Sequence, residues 1–228
     1  KFSIDGNYTL AVVFILFAAI LDALDGRIAR LIKGTSDFGK ELDSLTDFVS
    51  FGIAPVFILY FWELNNYGKL GWAITLIYSV CCVLRLARFN LTKIQETEEW
   101  KVNFFEGIPS PAGGLLILMP LIYELTNINL DFEIKKYTPY FTLIVAVLLV
   151  SKVPTLSFKK ISISPKITVF LLLSFGILFI ALLFYTLETL LVFGCAYLIS
   201  IPIGVVLFTT QNKKNIKKMS DESHEDVL

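Results

Sequence analysis

A succession of long apolar runs sets the terms on which this chain can fold. They cover residues 8–20, 38–62, 70–89, 109–125, 137–153, 167–185 and 187–209. Once the first run is extended by its helical continuation to residue 30, each is roughly 17–25 residues long, the length that crosses the hydrocarbon core of a bilayer as a helix. In that medium backbone N–H and C=O groups have no water to bond, so each segment must satisfy them internally. The expected fold is therefore an all-α integral membrane protein, a bundle of about seven transmembrane helices. Composition agrees, with 228 residues, 55% of them hydrophobic and only 18% charged. The three cysteines, Cys81, Cys82 and Cys195, all lie in apolar runs, and the adjacent pair points to different helix faces. They imply neither a disulfide framework nor a zinc site. The sole histidine, His224, sits in the polar tail, which argues against Ser-His or Cys-His catalysis and excludes a histidine-rich metal site. No soluble domain or internal repeat interrupts the pattern. The organisation expected is a membrane domain over residues 1–210 and a polar, mobile cytoplasmic tail over 211–228.

Basic residues orient the bundle. If the first span runs inward, strict alternation places Arg27, Arg30, Lys33, Lys40, Arg85, Arg88, Lys93 and Lys101 on the cytoplasmic side. Lys152, Lys159, Lys160, Lys166 and the four tail lysines join them. Sixteen of the twenty basic residues then lie inside, leaving Lys1, Lys69, Lys135 and Lys136 outside. That bias follows the positive-inside rule.

Against this apolar background, four carboxylates between the first two runs stand out: Asp22, Asp25, Asp43 and Asp47. On a helix, Asp22, Asp25, Gly26 and Ala29 share one stripe, while Gly39, Asp43 and Asp47 form a second at i, i+4, i+8. Gly34-Thr35-Ser36-Asp37 between them predicts a turn and an N-cap, hence two antiparallel neighbours. Facing stripes gather four carboxylates into one small volume at the cytoplasmic end. An uncompensated charge at the bilayer centre costs about 2.5–3.5 kcal/mol, and mutual repulsion adds to that. One or two divalent cations with oxygen ligands relieve both, and Mg²⁺ commonly shares such ligation with substrate phosphates.

The pattern Asp-Gly-x2-Ala-Arg-x8-Gly-x3-Asp-x3-Asp runs without a gap from Asp25 to Asp47, with Asp22 three residues upstream. It resembles the signature of the CDP-alcohol phosphotransferase family, membrane enzymes that displace CMP from a CDP-linked lipid or alcohol with a hydroxyl nucleophile. Three further stretches, Arg85-Leu-Ala-Arg88-Phe-Asn90, Phe105-Glu-Gly-Ile-Pro-Ser-Pro-Ala112 and Lys152-Val-Pro-Thr-Leu-Ser157, resemble the branch that makes phosphatidylserine from CDP-diacylglycerol and L-serine. That branch usually carries one more N-terminal helix, so an eighth is expected ahead of residue 1.

The resemblance implies Mg²⁺ or Mn²⁺, two ions held by Asp22, Asp25 and Asp43 with Asp47 beside them. Asp47 is implied as general base toward the serine hydroxyl, with a fourth-ligand role as its plainer alternative. Gly26, Ala29 and Gly39 are implied to make room for the CDP moiety, although close helix packing also selects small residues. Arg30 is implied to hold a phosphate, whereas Arg27 reads as a snorkelling residue at the membrane edge. Arg85 and Arg88, three apart on one helix face, are candidates for the lipid phosphate or the serine carboxylate, against a plain anchoring role. The implied partners are the two substrates and membrane lipid, not nucleic acid, with a homodimer as the family's usual assembly. The active site is expected to face the cytoplasm of a bacterial-type cell membrane. Two readings compete with this one: a sibling transferase acting on glycerol 3-phosphate or an inositol phosphate, and a cation or proton transporter, which also uses buried carboxylates.

Overall fold

The computed structural model describes residues 1–31, 36–92, 104–126, 128, 133–156 and 165–225. The chain opens with α1 (Tyr8–Leu31) and α2 (Asp37–Asp47), and a π-helical segment (Phe48–Ile53) carries α2 into α3 (Ala54–Trp62). A 3₁₀ turn (Leu64–Tyr67) leads to α4 (Lys69–Thr92). Then come β1 (Phe104–Glu106), α5 (Ser110–Ile117), α6 (Met119–Leu125), α7 (Ile134–Val150), β2 (Pro154–Leu156), α8 (Pro165–Phe184) and α9 (Thr186–Glu225). Helices occupy all seven predicted runs. Four segments are long and apolar enough to cross a membrane unaided: Tyr8–Ile28, Phe38–Trp62, Lys69–Leu91 and Thr186–Thr210. The fourth run is shorter because it breaks at Leu118. Pro120 has no N–H to offer the Leu116 carbonyl, and the Leu118 N–H turns back to the Leu115 carbonyl at 3.2 Å.

The core lies among α1 and α3–α7, where Val12, Val56, Leu59, Tyr78, Leu121 and Leu149 are wholly buried. Helix α8 presents Phe170, Leu172, Phe175 and Ile177 outward, as a lipid-facing helix does. Two glycines let α5 enter this core. A Cβ on Gly114 would stand 3.1 Å from the Phe51 backbone, and one on Gly113 would stand 2.7 Å from the Leu149 side chain.

The second span is built around a discontinuity. Pro55 cannot donate to the Phe51 carbonyl four residues back, and the Ala54 N–H reaches five back to Val49, the π pattern. The freed Phe51 carbonyl accepts instead from the Tyr78 hydroxyl of α4 at 3.0 Å. Ser79 reaches the next carbonyl, that of Gly52, at 3.4 Å. Such π segments tend to sit at functional positions, and this one begins at the residue after Asp47.

Two expectations are corrected. The fifth span ends at Val150 rather than residue 153: Ser151 is extended, and β2 pairs antiparallel with β1, Phe105 opposite Thr155. The pairing ties the approach to α5 to the exit of α7, and Gly107, at φ 75°, donates to the Val153 carbonyl at 2.9 Å. The polar tail, expected as a segment apart from the last span, continues α9 as helix to Glu225. The acidic stretch from Glu96 to Glu99, Trp100, most of the 157–165 loop and the Gly34-Thr35 turn lie outside the described residues.

Candidate active site

The two helices that carry the aspartates are set by local rules. Ser36 caps α2, accepting from the Gly39 N–H at 3.0 Å, as an N-cap serine does. Gly39 therefore has a capping role, and a Cβ there would stand 3.1 Å from the Ser36 Oγ. From this start the 3.6-residue repeat turns Asp43 toward α1. Carboxylate oxygens of Asp22, Asp25 and Asp43 lie within 4.8 Å of one another. Asp22 is half-buried, and Asp25 and Asp43 are exposed.

Asp47 occupies a different position, one turn deeper. It is half-buried, within hydrogen-bonding reach of Asp22 and close to Asp43 and Arg85. Its Oδ1 is buried without a hydrogen-bond partner. A buried carboxylate oxygen left without a donor is costly. The carboxylates of Asp22, Asp25 and Asp43 converge closely enough to hold a metal ion, and an all-oxygen donor set suits a hard divalent cation.

The arginines have unequal surroundings. Arg85 of α4 is only 8% exposed, donates to the Ser110 hydroxyl at the start of α5 at 2.6 Å and stacks over Phe89. Its ionic neighbours include Asp47 and Arg88. Arg88 forks onto the end of α7, donating to the carbonyls of Val150 at 2.6 Å and Ser151 at 3.0 Å. It closes a helix terminus whose carbonyls lack intrahelical donors. Asn90 ties α4 to α2 through the Ser44 hydroxyl at 3.0 Å. Gly26 faces open space: a Cβ there would meet nothing within 4 Å. The side chains of Ala29 and Arg30 lie outside those described.

Three further polar groups are not marked out by the sequence pattern: Ser110, Thr155 and Tyr197. Ser110 and Thr155 belong to stretches quoted above for their resemblance, without a role of their own. Thr155 is 2% exposed and donates to the Gly107 carbonyl at 2.9 Å. Tyr197 of α9 gave no signal at all, since a tyrosine in an apolar span reads as packing.

An all-α membrane protein that gathers carboxylates, an arginine and small residues at one place among its helices has the build of a membrane-embedded enzyme for a charged substrate. The chain belongs to the CDP-alcohol phosphatidyltransferase family, whose profile matches residues 2–151. Several relatives bear the name CDP-diacylglycerol–serine O-phosphatidyltransferase. The Helicobacter pylori (strain ATCC 700392 / 26695) protein is 34% identical over 193 residues, covering 85% of this chain and 78% of its own. That of Mycobacterium tuberculosis (strain ATCC 25618 / H37Rv) is 33% identical over 206 residues, 90% and 72% of the two chains. The Bacillus subtilis (strain 168) protein is 38% identical over 119 residues, 52% and 64%. Family and relatives identify a transferase of phospholipid biosynthesis with CDP-alcohol phosphotransferase activity, and the transporter reading falls.

Proposed function

We propose that the chain transfers the phosphatidyl group of CDP-diacylglycerol to the hydroxyl of L-serine, forming phosphatidylserine and CMP. The serine oxygen attacks the β-phosphorus, a new P–O bond forms, the bond to the CMP oxygen breaks, and the serine hydroxyl proton passes to Asp47. The observation that carries this reading is the buried Oδ1 of Asp47, without a partner, on a carboxylate whose charged neighbours are Asp22, Asp43 and Arg85. A base in that position faces donor and acceptor at once.

Asp22, Asp25 and Asp43 are the residues that would hold Mg²⁺ or Mn²⁺. Two such ions would offset the charge of the diphosphate and of the departing CMP. Gly26 leaves space on α1 for the nucleotide, and Ala29, Gly39 and Arg30 flank that space in the sequence. Arg85 offers the buried guanidinium for an anionic substrate group. Arg88 positions the α7 end through its two carbonyl contacts. The names of the relatives favour serine over a phosphorylated acceptor. The distribution of basic residues favours a cytoplasmic active site, with residues 1–210 as the membrane domain and 211–228 as a cytoplasmic extension.

An acceptor panel tests the reading. Purified protein with Mn²⁺ and CDP-diacylglycerol should release CMP when L-serine is added and not with glycerol 3-phosphate. The reverse pattern would move the chain to the sibling branch. Asp47→Asn should abolish release with either acceptor.

A further inference from the structure

Helix α2 carries Asp43, yet it packs little of itself against the protein. Phe38, Leu42 and Leu45 are all exposed, and among its described side chains only Ser44 and Asp47 are half-buried. The helix is 11 residues long, and one so short draws most of its stability from tertiary packing. The Ser36 cap orders its first turn from within but fastens it to no neighbouring element.

Charge works against its placement as well. Carboxylate oxygens of Asp22, Asp25 and Asp43 lie within 4.8 Å of one another. Without cations between them, the two aspartates of α1 repel Asp43 and push α2 away.

A directional bond one residue along opposes that push. The Ser44 hydroxyl donates to the Lys40 carbonyl at 3.1 Å, so its proton is spent inside α2. It accepts in turn from the Asn90 Nδ2 of α4 at 3.0 Å. A hydroxyl already committed as a donor can only accept from a second partner, which selects the amide nitrogen over the amide oxygen. Asn90 itself stands on a firm post. It lies in the last turn of α4, two residues beyond Arg88, whose guanidinium grips the Val150 and Ser151 carbonyls at the end of α7. Consecutive Cα atoms are only about 3.8 Å apart, so pinning Ser44 leaves Asp43 little travel toward or away from α1.

We propose that Asn90 is a positioning residue: through Ser44 it holds α2 at the distance from α1 at which Asp43 joins Asp22 and Asp25 on the divalent cations. This rests on the reading above that these three carboxylates hold Mg²⁺ or Mn²⁺.

The test is a Mn²⁺ titration of the purified full chain, read by loss of the free-ion electron paramagnetic resonance signal. It compares wild type with Asn90→Ala, Ser44→Ala and the double variant. Loss of one neutral hydrogen bond predicts that the Mn²⁺ Kd rises roughly threefold to tenfold in each single variant. The double variant should bind no more weakly than either single one, as two groups that share one bond do. In CMP release, the Mn²⁺ concentration giving half the maximal rate should rise alike, and serine KM at saturating Mn²⁺ should stay as in wild type. An unchanged Mn²⁺ Kd in Asn90→Ala overturns the proposal even where the melting temperature falls, since the bond then serves stability alone. Losses that add up in the double variant overturn it too, as does a raised serine KM at saturating Mn²⁺, which would put Asn90 against the substrate. If Asn90→Ala does not fold, Ser44→Ala decides alone: a raised Kd supports the proposal and an unchanged one overturns it. A wild type that binds no Mn²⁺ defeats the underlying metal reading. A wild type that binds it, with both single variants unaffected, defeats only this inference.

Discussion

Tyr78→Phe isolates one interaction on which the second span depends. The hydroxyl serves the Phe51 carbonyl at 3.0 Å, and Tyr78 is wholly buried, so no water replaces the lost donor. An orphaned buried acceptor costs about 1–3 kcal/mol in soluble proteins, whereas interhelical bonds in membrane bundles average about 0.6 kcal/mol. A value near 1 kcal/mol is expected here, since Pro55 removes the ordinary i+4 donor to that carbonyl. For a chain of this size that corresponds to a fall of about 2–4 °C in Tm. The π segment starts directly after Asp47, so kcat should also fall, by up to about fivefold if the same energy is lost from the transition state. Ser79→Ala is the internal control. Its bond to the Gly52 carbonyl is long, at 3.4 Å, and the hydroxyl also bonds Thr75 within its own helix at 3.0 Å. Its effect should be less than half as large. Thermal melts in detergent and initial rates of CMP release measure both. A Tyr78→Phe protein no less stable than Ser79→Ala would refute the claim that Tyr78 sustains the discontinuity.

Other substitutions divide packing from function. A Cβ on Gly71 would collide with the main-chain carbonyl oxygen of Leu64, so Gly71→Ala should destabilise by about 1–3 kcal/mol, as overpacking does. Gly26→Ala should leave Tm unchanged or slightly raised, since the added methyl meets nothing, yet weaken CDP binding measured by calorimetry. Arg88→Lys loses the planar fork that serves two carbonyls. It should cost about 1–2 kcal/mol and speed amide exchange at residues 104–107 and 150–156, with little change in either substrate KM.

What the sequence made legible was local and periodic. Asp22, Asp25 and Asp43 meet because helical spacing puts them on stripes that face each other, and the Ser36 cap fixes where the second stripe begins. The apolar runs located the helices because bilayer thickness dictates their length. Features that depend on a distant partner were not legible. Arg85 and Arg88 share a helix face, but one meets Ser110 and the other the end of α7, more than sixty positions away. The π segment needs both Pro55 and a hydroxyl from α4, and proline alone predicts only a disturbed helix. Residues 104–106 and 154–156 are too short to announce themselves as strands and pair only because α5 and α7 pack side by side. Asp47 differs from the other three because it sits one turn deeper beside Arg85.

The central claim is that carboxylates from α1 and α2 act as one donor set for divalent cations. Titration of Mn²⁺ into the purified protein, followed by loss of the free-ion electron paramagnetic resonance signal, tests it without any turnover. Wild type should bind Mn²⁺, more tightly when CDP is present, while Asp25→Asn and Asp43→Asn should each lose most of that binding and retain their melting behaviour. Mn²⁺ binding by Asp25→Asn and Asp43→Asn equal to that of wild type would contradict the account.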